Sequence, residues 1–176
     1  LHSVTNYELH KSLYSGFNDH NFFEIAHNVR RLEAVGRQLY TFLDNHDEDR
    51  IASKLVKKSH LFPIHLCLLT LPGIPSIYYG GEWGIEGRRT STNDDALRPA
   101  ISMEQAGELH CELTDFISVL CNIHRTYDGF HTGRYEELLL TNRQYAFARH
   151  GKDSVLVTVV NNDDNEAQIA VPVPFH

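Results

Sequence analysis

Apolar side chains recur at three- and four-residue spacing through residues 7–35, at Phe22, Ile25, Ala26, Val29 and Leu32. That period predicts an amphipathic helix, with Gly36 placed to stop it. Leu39 to Leu43 is too short for a helix and rich in strand formers, so it reads as a strand. Helical spacing returns from Ile51 to Leu71. Ser59 as a cap and Pro63 near a first turn predict a break around 57–60, and Pro72-Gly73 ends the segment. "IPSIYYG" (74–80) is a second strand-like run, followed by a polar loop from Glu82 to Ala100. Residues 102–126 are again helical in pattern, through Leu109, Leu113, Phe116, Ile117, Leu120 and Ile123, with Gly129 as the stop.

Past that point the period changes. "RYEELLLT", "QYAFARHG", "DSVLVTVVNN" and "EAQIAVPV" are four strand-length runs divided by polar turns, which predicts an antiparallel meander. The whole order is helix, strand, helix, strand, helix, then an all-β tail. Alternating helices and short apolar strands give an α/β class with parallel βα units. Two or three parallel strands, the third from Ser3–Asn6, make an unusually small sheet. The βα part is therefore expected to be a segment of something larger. An opening residue of Leu1 and a single methionine, Met103, point the same way.

Composition narrows the function classes. A chain of 176 residues with 41% hydrophobic and 22% charged residues is globular. Its net charge of −7 lacks the basic face that nucleic acid needs. The longest apolar run, Leu61–Pro72, is interrupted by His65 and too short to span a membrane. Cys67, Cys111 and Cys121 show no paired spacing and lie in helical stretches, so all three read as buried free thiols. His20, Glu24 and His27 share a helix face but lack further ligands, and no metal site is expected.

The densest chemistry is "TFLDNHDEDR" (41–50), where Asp44, His46, Asp47, Glu48 and Asp49 fall within six positions. Such a cluster is a solvated turn, a metal cradle or a catalytic rim. In parallel βα architectures, functional residues gather at the carboxyl ends of strands. Both this cluster and the long loop after Tyr79 stand at such ends.

"FLDNHDEDR" resembles the fourth signature region of the α-amylase family of glycoside hydrolases. "GIPSIYYGGEWG" (73–84) is similar to that family's segment on the eighth barrel strand. "NDDALR" (93–98) resembles its loop motif Asn-Asp-x-x-x-Arg, and "SVTNYELHKSL" (3–13) the stretch that leaves strand six. The resemblance implies that residues 1–128 form the last part of a (β/α)8 TIM barrel, from the end of strand six to helix eight. Residues 129–176 would begin an antiparallel all-β C-terminal domain.

It implies a chemistry as well. The family cleaves α-glucosidic bonds in starch-type glucans or maltooligosaccharides with retention. That needs a nucleophile and an acid/base carboxyl roughly 5–5.5 Å apart. Both would lie on strands four and five, upstream of Leu1, so the isolated chain is expected to be inactive. By the resemblance Asp47 is the third carboxylate, which stabilises the transition state. His46 orients the same sugar, Asp94 and Arg98 hold the next glucose unit, and Trp83 is a rim platform. Pro75, Tyr78, Tyr79 and Gly80 are structural, Asp49 a helix cap or partner for Arg50, and Arg50 has no assigned role. No cofactor is expected in this chain, since the family's calcium ligands would lie upstream. The expected partners are the glucan and the missing N-terminal part of the barrel. An open barrel face also predicts self-association. The alternatives are a glucan transferase of the same family and a non-catalytic amylase-like binding or assembly protein.

Overall fold

Asn6 starts the first helix. In the computed structural model, which describes residues 3–35 and 39–173, its side-chain oxygen accepts from Leu9 N–H at 3.0 Å and opens α1, Tyr7–Asn18. Such a cap stabilises a helix by about 1 kcal/mol. Leu9, Leu13 and Phe17 recur every four residues and are buried, so this face enters the core.

The single helix expected over 7–35 is two. Asp19 N–H closes α1 on Ser15 O at 2.8 Å, His20 takes a left-handed φ of 50°, and α2 restarts as Phe22–Val35. No proline or glycine marks this reversal. Tertiary partners hold it instead: His20 Nδ1 lies 2.6 Å from Asn162 O, and Phe22 N–H donates to Asn142 O at 2.9 Å. His20 therefore sits in the turn and not on a helix face with Glu24 and His27. The Gly36 stop falls outside the described residues.

β1 (Tyr40–Phe42) and β2 (Ile74–Ser76) pair in parallel, with Tyr40 opposite Ile74 and Phe42 opposite Ser76. Thr5 bridges Tyr40 on the other side, so a third extended segment flanks β1 as the pattern suggested. Gly73, at φ +140°, is required where the chain enters β2. A Cβ there would lie 2.5 Å from Thr41 Cγ2. Between the strands the chain forms α3 (Ile51–Lys54), a 3-10 turn at Lys58–His60 and α4 (Leu61–Thr70). Asn18 bridges the break, donating to Lys54 O and accepting from Val56 N–H, each at 2.9 Å. Ser59 lies inside the 3-10 turn and does not cap α4.

The stretch from 102 to 126 also divides. Ser102 and Gln105 form a capping box that opens α5 (Met103–Glu108), and α6 runs Glu112–Thr126. Leu113, Ile117 and Leu120 bury against α4, with Phe116 and Phe62 rings 5.4 Å apart.

β3 (Arg134–Leu140), β4 (Gln144–His150) and β5 (Val155–Asn161) form the antiparallel meander in order. The fourth expected strand, "EAQIAVPV", is not a strand: residues 166–173 run without ladder pairing. The sheet shares one hydrophobic core with the helices. Tyr135, Tyr145, Phe147 and Val160 belong to the same buried cluster as Leu13, Phe22 and Ile64. Polar clamps cross this junction. Arg149 donates to Thr70 O, Gly129 O and Phe130 O at 3.1–3.2 Å, and Asn162 Nδ2 to Gly16 O and Phe17 O.

The thiols depart from expectation. Cys67 is buried, whereas Cys111 and Cys121 are exposed. Cys111 caps α6 and Cys121 lies off its buried stripe, so helical spacing alone did not assign them a face.

Candidate active site at the strand ends

Past Phe42 the chain turns sharply, and the acidic residues go in different directions. Asp44 points inward. It is 3% exposed, accepts Ile51 N–H at 2.5 Å and lies 3.5 Å from Arg50 Nη1. It is therefore Asp44, not Asp49, that caps the following helix and pairs with Arg50. Burial pushes its carboxyl up, against the pull of the Ile51 N–H and the Arg50 charge.

Arg50 is fully buried and joins the two strand ends. Its Nη1 donates to Tyr79 O at 2.8 Å, and the guanidinium carbon lies 4.6 Å from the Tyr78 ring centroid and 5.3 Å from that of Tyr79. The sequence left Arg50 without a role. No signal in the sequence marks that role, because residue type does not show that Asp44 turns inward to meet it.

Asp47 and Asp49 face the long loop. Asn45 Oδ1 accepts from the N–H of Asp47 at 2.8 Å and of Glu48 at 2.9 Å, a turn that sets Asp47 on the rim. Asp47 is half-exposed; one oxygen lies 3.3 Å from Arg98 Nη2 and the other 3.1 Å from His46 Nε2. Arg98 Nε donates to His46 O at 3.0 Å, and its Nη2 lies 3.5 Å from Asp94. Asp94 also pairs with Arg89 at 3.0 Å, while Arg89 Nη2 donates to Asp47 O at 2.6 Å. Asp49 accepts Arg89 N–H at 2.7 Å and sits 3.6 Å from Arg88. The like charges are thus neutralised by Arg88, Arg89 and Arg98 from one loop. Sequence reading picked Arg98 and missed the other two.

His46, Asp47, Asp94 and Arg98 therefore converge on one surface at the carboxyl end of β1. Trp83 ends the 3-10 turn after β2 and is partly buried. Among the described residues no hydrogen bond or ring contact links its indole to that cluster. No group of three or more His, Cys, Asp or Glu among the described residues is arranged to hold a metal ion. No helix among them is long and apolar enough to cross a membrane.

This geometry can bind a polyhydroxylated ligand, since it offers carboxylate acceptors and guanidinium donors side by side. At the end of β1 it presents the half-exposed Asp47 carboxylate between Arg98 and His46.

Comparison with known proteins bears on the family. The family model described as the catalytic domain of alpha amylase matches residues 6–114, a span that contains Asp47, Asp94 and Arg98. The chain is 27% identical over 144 residues to a cyclomaltodextrinase of Thermoanaerobacter pseudethanolicus, covering 80% of this chain and 24% of that protein. It is 26% identical over 169 residues to alpha-amylase 1 of Schwanniomyces occidentalis, covering 92% and 32%. A cyclomaltodextrin glucanotransferase of Niallia circulans is 29% identical over 123 residues, covering 70% and 16%. The chain thus spans a third or less of the length of these relatives. Among solved structures, an Anoxybacillus alpha-amylase aligns with a TM-score of 0.77 at 23% identity, over 91% of this chain and 36% of that one. That likeness shows the fold.

Proposed function

The chain belongs to the α-amylase family, and from that premise we propose that it is the C-terminal part of a retaining glycosidase acting on α-glucans or maltooligosaccharides. Residues 1–128 complete a (β/α)8 barrel from the end of strand six through helix eight. Residues 129–176 begin the appended β domain.

The observation that carries this reading is the Asp47 carboxylate at the end of β1, set by the Asn45 turn and flanked by His46 and Arg98. In the reaction, a nucleophile carboxylate attacks the anomeric carbon while an acid protonates the departing oxygen. Those two groups come from barrel strands outside this chain. Asp47 accepts hydrogen bonds from the −1 sugar, more strongly as the ring flattens and gains positive charge. An interaction that strengthens toward the transition state raises turnover. His46 fixes the same sugar, Asp94 and Arg98 hold the next, and Trp83 offers a ring face at the rim. The chain alone does not turn over substrate. The open face of its sheet is covered by the rest of the barrel or by a second copy. Any calcium belongs to the upstream part.

The test is reducing-sugar release from maltoheptaose by the chain alone, and again with the upstream barrel segment supplied. Activity only in the reconstituted pair, lowered about 100- to 1,000-fold by Asp47→Asn, is expected. Hydrolysis by the chain alone would overturn the assignment of the nucleophile elsewhere. Glucan binding without turnover in either case would favour an amylase-like binding protein. The similarity to cyclomaltodextrin glucanotransferases favours one further reading, a glucan transferase. Transfer products outweighing free reducing ends would select it.

A further inference from the structure

Glu48, next to Asp47, turns away from the exposed cluster and receives Lys54 Nζ at 2.6 Å. The same nitrogen lies 3.1 Å from His10 Nε2 and 4.7 Å from the centroid of the Tyr14 ring. An ammonium carries three N–H donors and no acceptor. A carboxylate, an imidazole lone pair and a ring face take all three. The Lys54 side chain is only 13% exposed, so these contacts form a packed site and not a loose surface pair.

Burial and Lys54 together favour a neutral His10. If Nε2 accepts from the ammonium, the ring proton sits on Nδ1 and the imidazole is neutral. Burial, reinforced by the Lys54 charge, lowers the His10 pKa to about 4, in keeping with a neutral ring.

His10 is itself anchored, stacked on Phe42 of β1 with centroids 4.6 Å apart. Tyr7 packs edge-on against the same Phe42 at 5.1 Å, and its hydroxyl accepts from Asn45 Nδ2 at 3.2 Å. Tyr7, His10 and Tyr14 lie three and four residues apart, on one face of α1. Both ends of the turn that carries Asp47 therefore dock on that face, Asn45 through Tyr7 and Glu48 through Lys54. The Asp47 carboxylate itself is half-exposed and held by half-exposed partners. Its placement has to come from the backbone beneath it.

We propose that Lys54 is a positioning residue for Asp47, clamping Glu48 against the His10–Tyr14 face of α1 and so fixing the turn that presents the Asp47 carboxylate. This rests on the reading of Asp47 as the transition-state carboxylate and adds the device that aims it. Aim matters because a misplacement on the order of 1 Å costs about 100-fold in rate.

Two arms test it. In the chain itself, Asp47 and Glu48 N–H both donate to Asn45 Oδ1. Lys54→Met is expected to speed their exchange about tenfold while amides in β4 are unaffected. In the reconstituted barrel, Lys54→Met is expected to lower kcat on maltoheptaose about 10- to 100-fold with KM within about threefold. Glu48→Gln, which keeps the shape and removes the charge, moves both readouts the same way, and Lys54→Arg restores part of the loss. In an Asp47→Asn background, Lys54→Met adds nothing further, because it acts only through Asp47. Unchanged exchange, or a kcat loss that multiplies on top of Asp47→Asn, would overturn the proposal. If the unsubstituted barrel fails to turn over maltoheptaose, the glycosidase reading falls, and the exchange arm still decides whether Lys54 sets the turn.

Discussion

Arg98 holds two neighbours at once: its Nη2 lies 3.3 Å from an Asp47 carboxylate oxygen while its Nε donates to the His46 carbonyl at 3.0 Å. One side chain from the long loop thus touches the backbone and the side chain of the strand-end motif. The loop and the rim form a single surface, although 51 positions separate Asp47 from Arg98 in sequence. Both Arg98 and Asp47 are about half exposed, so water screens the pair, and its contribution to stability is small. Its use is geometric. A guanidinium fork presents donors in a fixed plane, which suits vicinal sugar hydroxyls as well as carboxylates.

Arg98→Ala in the reconstituted barrel is therefore expected to raise KM for maltoheptaose about tenfold with kcat changed by less than about threefold, the pattern of lost uniform binding. Initial-rate kinetics over a range of maltoheptaose concentrations read this directly. A fall in kcat at constant KM would instead assign Arg98 to orienting Asp47.

Beneath that rim, Arg50 is the structural partner of the two strand ends. Arg50→Met leaves Asp44 buried without its cation and removes the donor to Tyr79 O. Breaking a buried pair from one side costs about 3–5 kcal/mol. The urea midpoint of the chain should fall accordingly. The double substitution Asp44→Asn with Arg50→Met should cost less than the two single effects combined, because no orphaned charge remains. Simple additivity would show that the pair is not coupled.

How much of this was legible depends on range. The strands at 40–42 and 74–76 and the meander followed from short apolar runs between turn residues, and the rim residues from their place after a strand. The break at His20 was not legible, because what holds it is Asn162, 142 positions away. The roles within the acidic run were equally hidden. Residue type gives no hint that Asp44 folds inward while Asp49 meets Arg88 and Arg89, since that choice is made by a loop forty residues downstream. Lys54 and His10 were read only as helix positions, and their contact spans 44 residues. Local pattern carried the elements; long-range polar pairing decided what each charged residue does.

The thiols give a check on burial. Cys67 is fully buried, and that burial pushes its thiol up to about 12, while Cys111 and Cys121 are exposed. A thiol reagent at neutral pH should therefore modify two cysteines of the native chain and reach Cys67 only in denaturant. Cys111, lowered through the Thr114 hydroxyl and the start of α6, against a desolvation that works the other way, should react faster than Cys121, whose partial burial raises it. Mass-mapped labelling over time distinguishes the three, and rapid native labelling of Cys67 would contradict the packing of α4.

Acid should unfold the chain earlier than its carboxylates alone require. His10 and His65 are buried, and desolvation lowers both to about 4 from the ordinary 6.5. Above pH 6.5 each is neutral in both folded and unfolded chains and adds no pH dependence. Between pH 6.5 and 4 the unfolded chain binds protons that the folded chain refuses, so stability falls as pH falls. Below about 4 both states are protonated and these two groups contribute no further slope. The loss over that window is about 3 kcal/mol for each histidine, a large share of the roughly 5–15 kcal/mol that holds a domain together. His65 donates its Nδ1–H to Leu61 O at 2.6 Å, so its Nε2 is the atom that would have to take the buried proton. Urea unfolding at pH 7 and pH 4.5 measures the slope. Replacing His65 with Leu should remove about half of it while leaving the His10 part intact. An unchanged slope in His65→Leu would mean that this imidazole already finds solvent in the native fold.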